Sequence, residues 1–223
     1  MTTIGALQDE IAAAKTSLVE FGRKMARDRL VVGSAGNISA RFGETVLMTP
    51  TGVSYEDITV ASISVLDAAG RQLEGTGRRS SEWPMHRHVY ELTGAGAIVH
   101  THSPFATTVS TVCDEIPAVH YSVLRLGGPN VRVAPYTTFG SDGLAQLAAE
   151  ALADRTGALL QNHGAIVYGS TLAEAYDRAL LLEWLAEVYW RGLQIGSPRI
   201  LDAAELAEVR EASRRHRYQG GNA

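Results

Sequence analysis

Near the start of the chain, apolar residues recur at alternating spacings of four and three: Leu7, Ile11, Ala14, Leu18, Phe21 and Met25. That spacing lays one apolar stripe along a helix over roughly residues 5–29. The pattern then shortens. Val31 to Asn37 reads as a Gly/Ser turn opening onto a strand, Ile38 to Phe42. Thr45 to Met48 is its partner strand, with Gly43-Glu44 as a tight hairpin between them. Thr49-Pro50-Thr51-Gly52 breaks regular structure. Ile63 to Leu66 is another strand, and Ala68-Ala69-Gly70 a turn. Ser81 is placed to cap a helix from Glu82 to Leu92, with Pro84 tolerated in its first turn.

The second half continues the alternation. Ala97-Ile98-Val99 is a short β-branched run leading into His100, and a helix follows from Ser103 to about Thr111. Strands are expected near Ala118–Tyr121 and Val131–Pro135, then a helix over about Ser141–Asp154, capped by Ser141. Ala158-Leu159-Leu160-Gln161 is strand-like and ends in Asn162-His163-Gly164, ahead of Ala165–Val167. The last long helix starts near Thr171 and carries Leu180, Leu181, Trp184, Leu185 and Val188 on one side. No repeat, low-complexity tract or linker interrupts this order. Residues 1–223 read as a single α/β domain with a mixed sheet and helices packed on it.

Composition narrows the function classes. With 223 residues, 45% hydrophobic and 20% charged, the chain suits one domain with a sizeable core. A net charge of −4 argues against a general nucleic-acid binder. The single cysteine, Cys113, has no internal disulfide partner and reads as a small buried hydrophobe. The N-terminus lacks the pattern of a signal peptide, and no stretch approaches the ~18 apolar residues that span a bilayer. The expectation is a cytoplasmic protein with no membrane or nucleic-acid partner.

The chemistry concentrates at a few positions. His100 and His102 end a strand, and residues i and i+2 on a strand point to one face. If the strand end at His163 is their neighbour, a three-histidine site results. Three protein nitrogens with an open position describe catalytic rather than structural zinc. Gly164 permits close packing there. Glu82 has two readings: a first-turn acid that complements the helix dipole, or, beside zinc, a general base that takes an acidified α-proton. Three polar turns, Gly36-Asn37, Thr51-Gly52 and Ser80-Ser81, offer backbone N–H groups and short donors for a phosphate, the last at the positive end of a helix. His86, His88, His120 and His216 read as ordinary core or surface histidines, since their spacing fits no zinc pattern. The basic tail Arg214-Arg215-His216-Arg217-Tyr218 is either a helix C-terminus or a segment that folds over an active site.

Seven segments in order carry a resemblance: Gly36-Asn37-Ile38-Ser39, Thr49-Pro50-Thr51-Gly52, Ser80-Ser81-Glu82-Trp83, His100-Thr101-His102-Ser103, Pro117-Ala118-Val119-His120-Tyr121, Pro135 to Gly140, and Gln161-Asn162-His163-Gly164. On these the chain resembles the class II aldolase/adducin family over nearly its whole length, and most of all its members that cleave L-fuculose 1-phosphate. The resemblance implies a central mixed, largely antiparallel sheet flanked by helices. It implies one Zn2+ per subunit on His100, His102 and His163, with Glu82 as the acid/base. It puts Asn37, Thr51, Gly52, Ser80 and Ser81 around the substrate phosphate. Phe139 and Tyr218 would line the aldehyde side. Tyr121 would protonate the aldehyde oxygen from a neighbouring subunit of a C4 homotetramer with its sites at subunit interfaces. The implied reaction is retro-aldol cleavage of a ketose 1-phosphate to dihydroxyacetone phosphate and a short aldehyde.

Within that family the rivals are a pentulose-5-phosphate 4-epimerase, whose motif typically has Asp where this chain has Glu82, and a sugar-acid phosphate decarboxylase, which could use Arg78, Arg79 and Arg125. A dehydratase of methylthioribulose-phosphate salvage fits less well. A non-catalytic adducin-like interaction module would be expected to lose the zinc ligands and the base, and all are present.

Overall fold

In the computed structural model the described residues are 4–220, with side chains described for residues 8–215. Nine strands among them are β1 (Asn37–Phe42), β2 (Thr45–Met48), β3 (Ser64–Leu66), β4 (Gln72–Glu74), β5 (Ala97–Thr101), β6 (Glu115–Ile116), β7 (Val131–Ala134), β8 (Gly157–Leu160) and β9 (Gly164–Gly169). The helices are α1 (Ile4–Arg27), α2 (Trp83–Leu92), α3 (Pro104–Ser110), α4 (Asp142–Ala151), α5 (Leu172–Ile195) and α6 (Ala203–Gly220). The strands form one sheet in the order β4-β3-β2-β1-β5-β9-β8-β7-β6. Each neighbouring pair is antiparallel except β7 and β8, which run parallel. The α/β architecture with a mixed sheet expected from the pattern, and the largely antiparallel pairing that the resemblance implies, are the ones observed.

Strand alternation divides the core in two. Ile38, Leu47, Val65, Val99, Leu159 and Val167 face a layer built from α1, α3 and α5. Met48, Leu66, Ile98, Leu160 and Ile166 face a second layer, where Met85 and Val89 of α2 meet Leu144 and Ala148 of α4. His100 has the parity of Ile98, so its ring lies on the α2 side. Among the described residues no helix is long and apolar enough to cross a membrane.

Two local expectations are corrected. Ala118–Tyr121 is not a strand: a 3-10 helix spans Tyr121–Leu126, capped by His120, whose Nδ1 accepts from the Ser122 N–H. Its buried Val123 and Leu126 are three apart, so the run packs with the period of a 3-10 turn rather than of a strand. Ser81 is not the cap of α2. That position belongs to Glu82, with no side-chain cap bond. The donors a Ser81 cap would serve are spent or missing: Trp83 N–H donates to the Ser80 carbonyl, and Pro84 has none. At α3, Ser103 also forms no cap bond. The Glu183 carboxylate, arriving from α5, accepts from the Phe105 and Ala106 N–H groups at 2.9 and 2.8 Å. Ser141 caps α4 as expected, and Thr171 caps α5. The short edge strands β4 and β6 were too brief for a pattern to mark.

The sheet brings the site together at one end. Asn37, which starts β1, pairs with His100, near the end of β5, and Thr101 pairs with Ala165, near the start of β9. At Gly164 a Cβ would lie 2.0 Å from the Thr101 carbonyl oxygen. Only glycine allows β9 to enter so near β5. Gly164→Ala should therefore push the two strands apart, with a loss of at least about 1–3 kcal/mol in urea unfolding. Unchanged stability would show that this approach is not a constraint.

Candidate metal centre and active-site cleft

Four side chains from three parts of the chain meet in one cluster. Glu82, His100, His102 and His163 each offer a ligand atom, and these atoms all lie within 4.8 Å of one another. His100 projects from β5 and His102 follows directly after it, its backbone N–H held by the Leu30 carbonyl. His163 sits in the turn between β8 and β9, reached through Asn162 in the left-handed region at φ 56°. Gly36, at φ 73°, has no room for a Cβ, which would stand 2.7 Å from the His100 carbonyl oxygen.

The three imidazoles form an equilateral triangle, each ring centroid 4.8 Å from the other two, with interplanar angles of 69° to 82°. His100 Nδ1 lies 2.8 Å from the Ala165 carbonyl oxygen, an acceptor, so Nδ1 carries the hydrogen. His100 Nε2 then presents its lone pair inward, 3.0 Å from His102 Nε2 and 3.1 Å from Glu82 Oε2. His163 Nε2 is 3.2 Å from Glu82 Oε1. Ligand nitrogens about 2.05 Å from a tetrahedral zinc lie roughly 3.3 Å apart, so this spacing is that of a metal donor set. Lone pairs converging on one buried point leave a cation or a proton as the only favourable occupant.

The electrostatics agree. Burial raises the Glu82 pKa, yet the charge on His100 and then His163 holds it well below the usual carboxylate range. Burial lowers the His100 pKa, but the neighbouring Glu82 carboxylate raises it above the ordinary imidazole value. His102 is pushed down to about 3, by burial first and then by His100 and His163, so its ring is neutral and a ready ligand. Burial, with His100 second, likewise brings His86 to about 3.

A cleft of about 370 Å³ opens over the cluster. His102, His163 and Glu82 form its floor, and Asn37, Thr51, Ser80 and Ser81 line one side. Those polar loops are clamped to each other: Pro50 and Arg79 form a β-bridge, and Thr51 N–H donates to the Arg78 carbonyl. Gly52, at φ 72°, turns the chain beside Thr51. Ser80 is buried, and its Oγ accepts from the Glu82 N–H at 3.2 Å. The first turn of α2 has few free N–H groups, so it acts on the cleft more by its dipole than by donation. Asn37 lies among the expected phosphate residues, but its Nδ2 donates to Glu82 Oε2 at 2.8 Å.

The exposed rim is aromatic. Tyr136 and Phe139 line the cleft while remaining 63% and 65% exposed. Tyr121 does not line it; 52% exposed, it lies at the mouth of a separate groove with Arg125, Arg210 and Arg214. The Tyr218 side chain falls outside the described residues. Arg79 is tied to the Gly70 carbonyl and Arg78 is exposed, so neither reaches the floor. Sequence reading missed the contact of Asn37 with Glu82 and the exposed Tyr136. It also missed Ser39, which bonds the His86 ring. A polar residue at every second position of β1 was the available signal.

Residues 16–190 match the family described as class II aldolase and adducin N-terminal domain. The chain is 40% identical over 200 residues to the 5-methylthioribulose-1-phosphate/5-deoxyribulose-1-phosphate aldolase of Rhodospirillum rubrum, covering 89% of this chain and 90% of that one. It is also 40% identical over 196 residues to the L-fuculose phosphate aldolase of Escherichia coli K12, covering 87% and 91%. Its fold is similar to a solved L-fuculose 1-phosphate aldolase, with a TM-score of 0.85 at 32% identity over 90% of this chain and 95% of that one.

The donor set predicts one tightly held divalent cation per chain. Elemental analysis after dialysis should find it in wild type and in His88→Gln, and should find a loss of roughly 90% or more in His102→Ala, as expected when one ligand of three is removed. Full occupancy in His102→Ala would remove that histidine from the ligand set.

Proposed function

The chain belongs to the class II aldolase and adducin family, and we propose that it cleaves a ketose 1-phosphate into dihydroxyacetone phosphate and a short aldehyde. The observation that carries this reading is a buried carboxylate beside three converging imidazoles at the floor of a cleft. His100, His102 and His163 would hold a divalent cation, zinc by the preference of an all-nitrogen tetrahedral set. When bound it would supply Lewis-acid stabilisation of the negative charge that carbon–carbon cleavage leaves on the ketone fragment.

The side chains supply the rest. Glu82 carries the proton: it is ionised, buried and unable to leave the cluster. It takes up the proton that the substrate hydroxyl gives up on becoming the aldehyde carbonyl, and its conjugate acid then protonates the enediolate carbon and gives dihydroxyacetone phosphate. Thr51, Gly52, Ser80 and Ser81 hold the phosphate through hydroxyl and backbone donors, with Asn37 at the boundary between this set and the base. The two clamped loops fix that end of the substrate, so the scissile bond is oriented before it reacts.

The aldehyde end is incomplete in a single chain. Phe139 and Tyr136 are exposed at the rim, and no described phenol faces Glu82 across the cleft floor. A neighbouring copy in a ring of four would close the rim and present its Tyr121, with Tyr218 of the tail beside it. In the condensation direction a phenol with a pKa near 10 donates to the alkoxide as it develops, and in cleavage the same group relays the proton that this hydroxyl gives up.

The substrates in the relatives' names share a feature: fuculose, 5-deoxyribulose and 5-methylthioribulose all end in a carbon without a hydroxyl. An aromatic rim suits such an end, so the proposed substrate is a ketose 1-phosphate with a deoxy or thioether terminus. The metal-loaded protein should release dihydroxyacetone phosphate from L-fuculose 1-phosphate or 5-deoxyribulose 1-phosphate, read by mass spectrometry. Interconversion of pentulose 5-phosphates without release of that product, or release of carbon dioxide, would overturn the reading.

Two variants test the roles. Glu82→Gln should slow proton exchange from heavy water into dihydroxyacetone phosphate by ~10²–10⁴-fold. Tyr121→Phe should be nearly inactive in cleavage, and so should Glu82→Gln. Co-expressed equally, they should recover about a quarter of wild-type activity, because random rings pair an intact Glu82 with a neighbour's intact Tyr121 at that frequency. Well-mixed rings without recovery would rule out action across the interface.

A further inference from the structure

Asn37 and Ser39 of β1 are buried, and Arg41 is half-buried, where an alternating strand would ordinarily meet water. Ile38 and Ala40 enter one core layer, while Asn37, Ser39 and Arg41 face α2. Each meets a residue of that helix or its cap. Asn37 Nδ2 donates to Glu82 Oε2 at 2.8 Å. Ser39 Oγ lies 2.7 Å from His86 Nδ1 and 2.7 Å from the Tyr90 hydroxyl. Arg41 donates to the Tyr90 carbonyl at 2.9 Å, and its guanidinium lies 5.0 Å from the centre of the Tyr90 ring.

The numbering of these contacts is regular: 37 with 82, 39 with 86, 41 with 90. Two residues of a strand advance about 6.7 Å, and four residues of a helix about 6.0 Å. The two spacings stay in step for three rungs. Asn37, Ser39, Glu82 and His86 are all buried, so the first two rungs are contacts that water does not replace.

The first rung distinguishes the two oxygens of Glu82. A carboxylate accepts only, so the Asn37 atom facing it is the amide nitrogen. Oε2 is thereby held by Asn37 beside His100 Nε2. Oε1 is buried without a hydrogen-bond partner, on the side of His163. Asn37 Oδ1 is likewise buried and unpartnered, and as an acceptor it cannot hold a phosphate dianion.

We propose that Asn37 is a positioning residue for Glu82: the ladder from β1 to α2 holds the carboxylate in place through Oε2. This assignment rests on Glu82 as the proton carrier of the proposed aldolase, and it makes the base, rather than the phosphate, the principal partner of Asn37. Ser39 secures the next turn of α2 and acts on Glu82 only through the helix.

Asn37→Ala in the metal-loaded protein tests it. Both kcat and the heavy-water exchange of dihydroxyacetone phosphate should fall about 10–100-fold, the effect of a reacting group displaced by roughly 1 Å. Inhibition by inorganic phosphate should change by less than about twofold, since lost phosphate contacts would instead weaken it in proportion to the hydrogen bonds removed. Metal content should stay at one ion per chain. Ser39→Ala should lower kcat more modestly with KM unchanged. A variant that keeps its exchange rate but loses phosphate inhibition would return Asn37 to the phosphate.

A second measurement is independent of turnover. Thermal midpoints of Asn37→Ala, Glu82→Ala and the double variant should be non-additive, because each single change leaves a buried partner unpaired. Additive shifts would overturn the contact itself. If wild type neither cleaves nor exchanges any ketose phosphate, the aldolase reading fails, and non-additive midpoints would still establish the rung from β1 to Glu82.

Discussion

Glu82 is 6% exposed and ionised, and a buried carboxylate costs several kcal/mol unless its surroundings answer the charge. Much of the fold near the site is arranged around that requirement. Asn37 answers from β1, His100 from β5, and His163 from the turn between β8 and β9. These segments are far apart in sequence, and the central order β1-β5-β9 is what makes their ends coincide. An antiparallel arrangement places the start of one strand beside the end of the next. Asn37 therefore faces His100 by register rather than by chance of side-chain reach. The same cluster that satisfies the carboxylate is the donor set for a cation, so stability and chemistry impose one geometry.

That geometry also explains which parts of the site could be read from the residues. His100 and His102 were legible because a β-branched run fixes a strand and a strand fixes which side chains share a face. His163 was legible through Gly164, whose lack of a Cβ admits the close approach of β9 to Thr101. The partner of that approach is β9, however, and not the strand-like run ahead of His163. Glu82 alone was ambiguous, since a first-turn acid has an ordinary structural use, and only the histidines opposite it give its charge another purpose.

The residues that were not legible share a cause. Asn37, Ser39 and Arg41 alternate with apolar neighbours as an exposed face would, yet a helix covers them. Burial of a polar strand face depends on what packs across it, which is information carried by α2 and not by β1. Glu183 caps α3 from 78 residues away, and no local pattern announces a long-range cap. Ser81 looked like a cap until the helix donors it would serve proved to be bonded to Ser80 or absent at Pro84. Ala118–Tyr121 has the residues of a strand, but its downstream burial falls every third position. At β1 and α3 a tertiary contact overrode a sound local signal, whereas at Ser81 and Ala118–Tyr121 the neighbouring backbone decided otherwise.

Substrate choice is separable from all of this. The chain is as similar to a methylthioribulose- and deoxyribulose-phosphate aldolase as to a fuculose phosphate aldolase, 40% in each case, so overall identity does not divide them. The cluster and the clamped polar loops form the enclosed part of the cleft. Tyr136 and Phe139 form its open part, more than 60% exposed in one chain. Discriminating one apolar group from another in a hydrophobic pocket takes only ~1–3 kcal/mol. Two or three rim contacts, completed by a neighbouring copy, are enough to supply it. The rim can therefore vary without disturbing the buried charge, because no described rim side chain contributes a ligand or a hydrogen bond to Glu82.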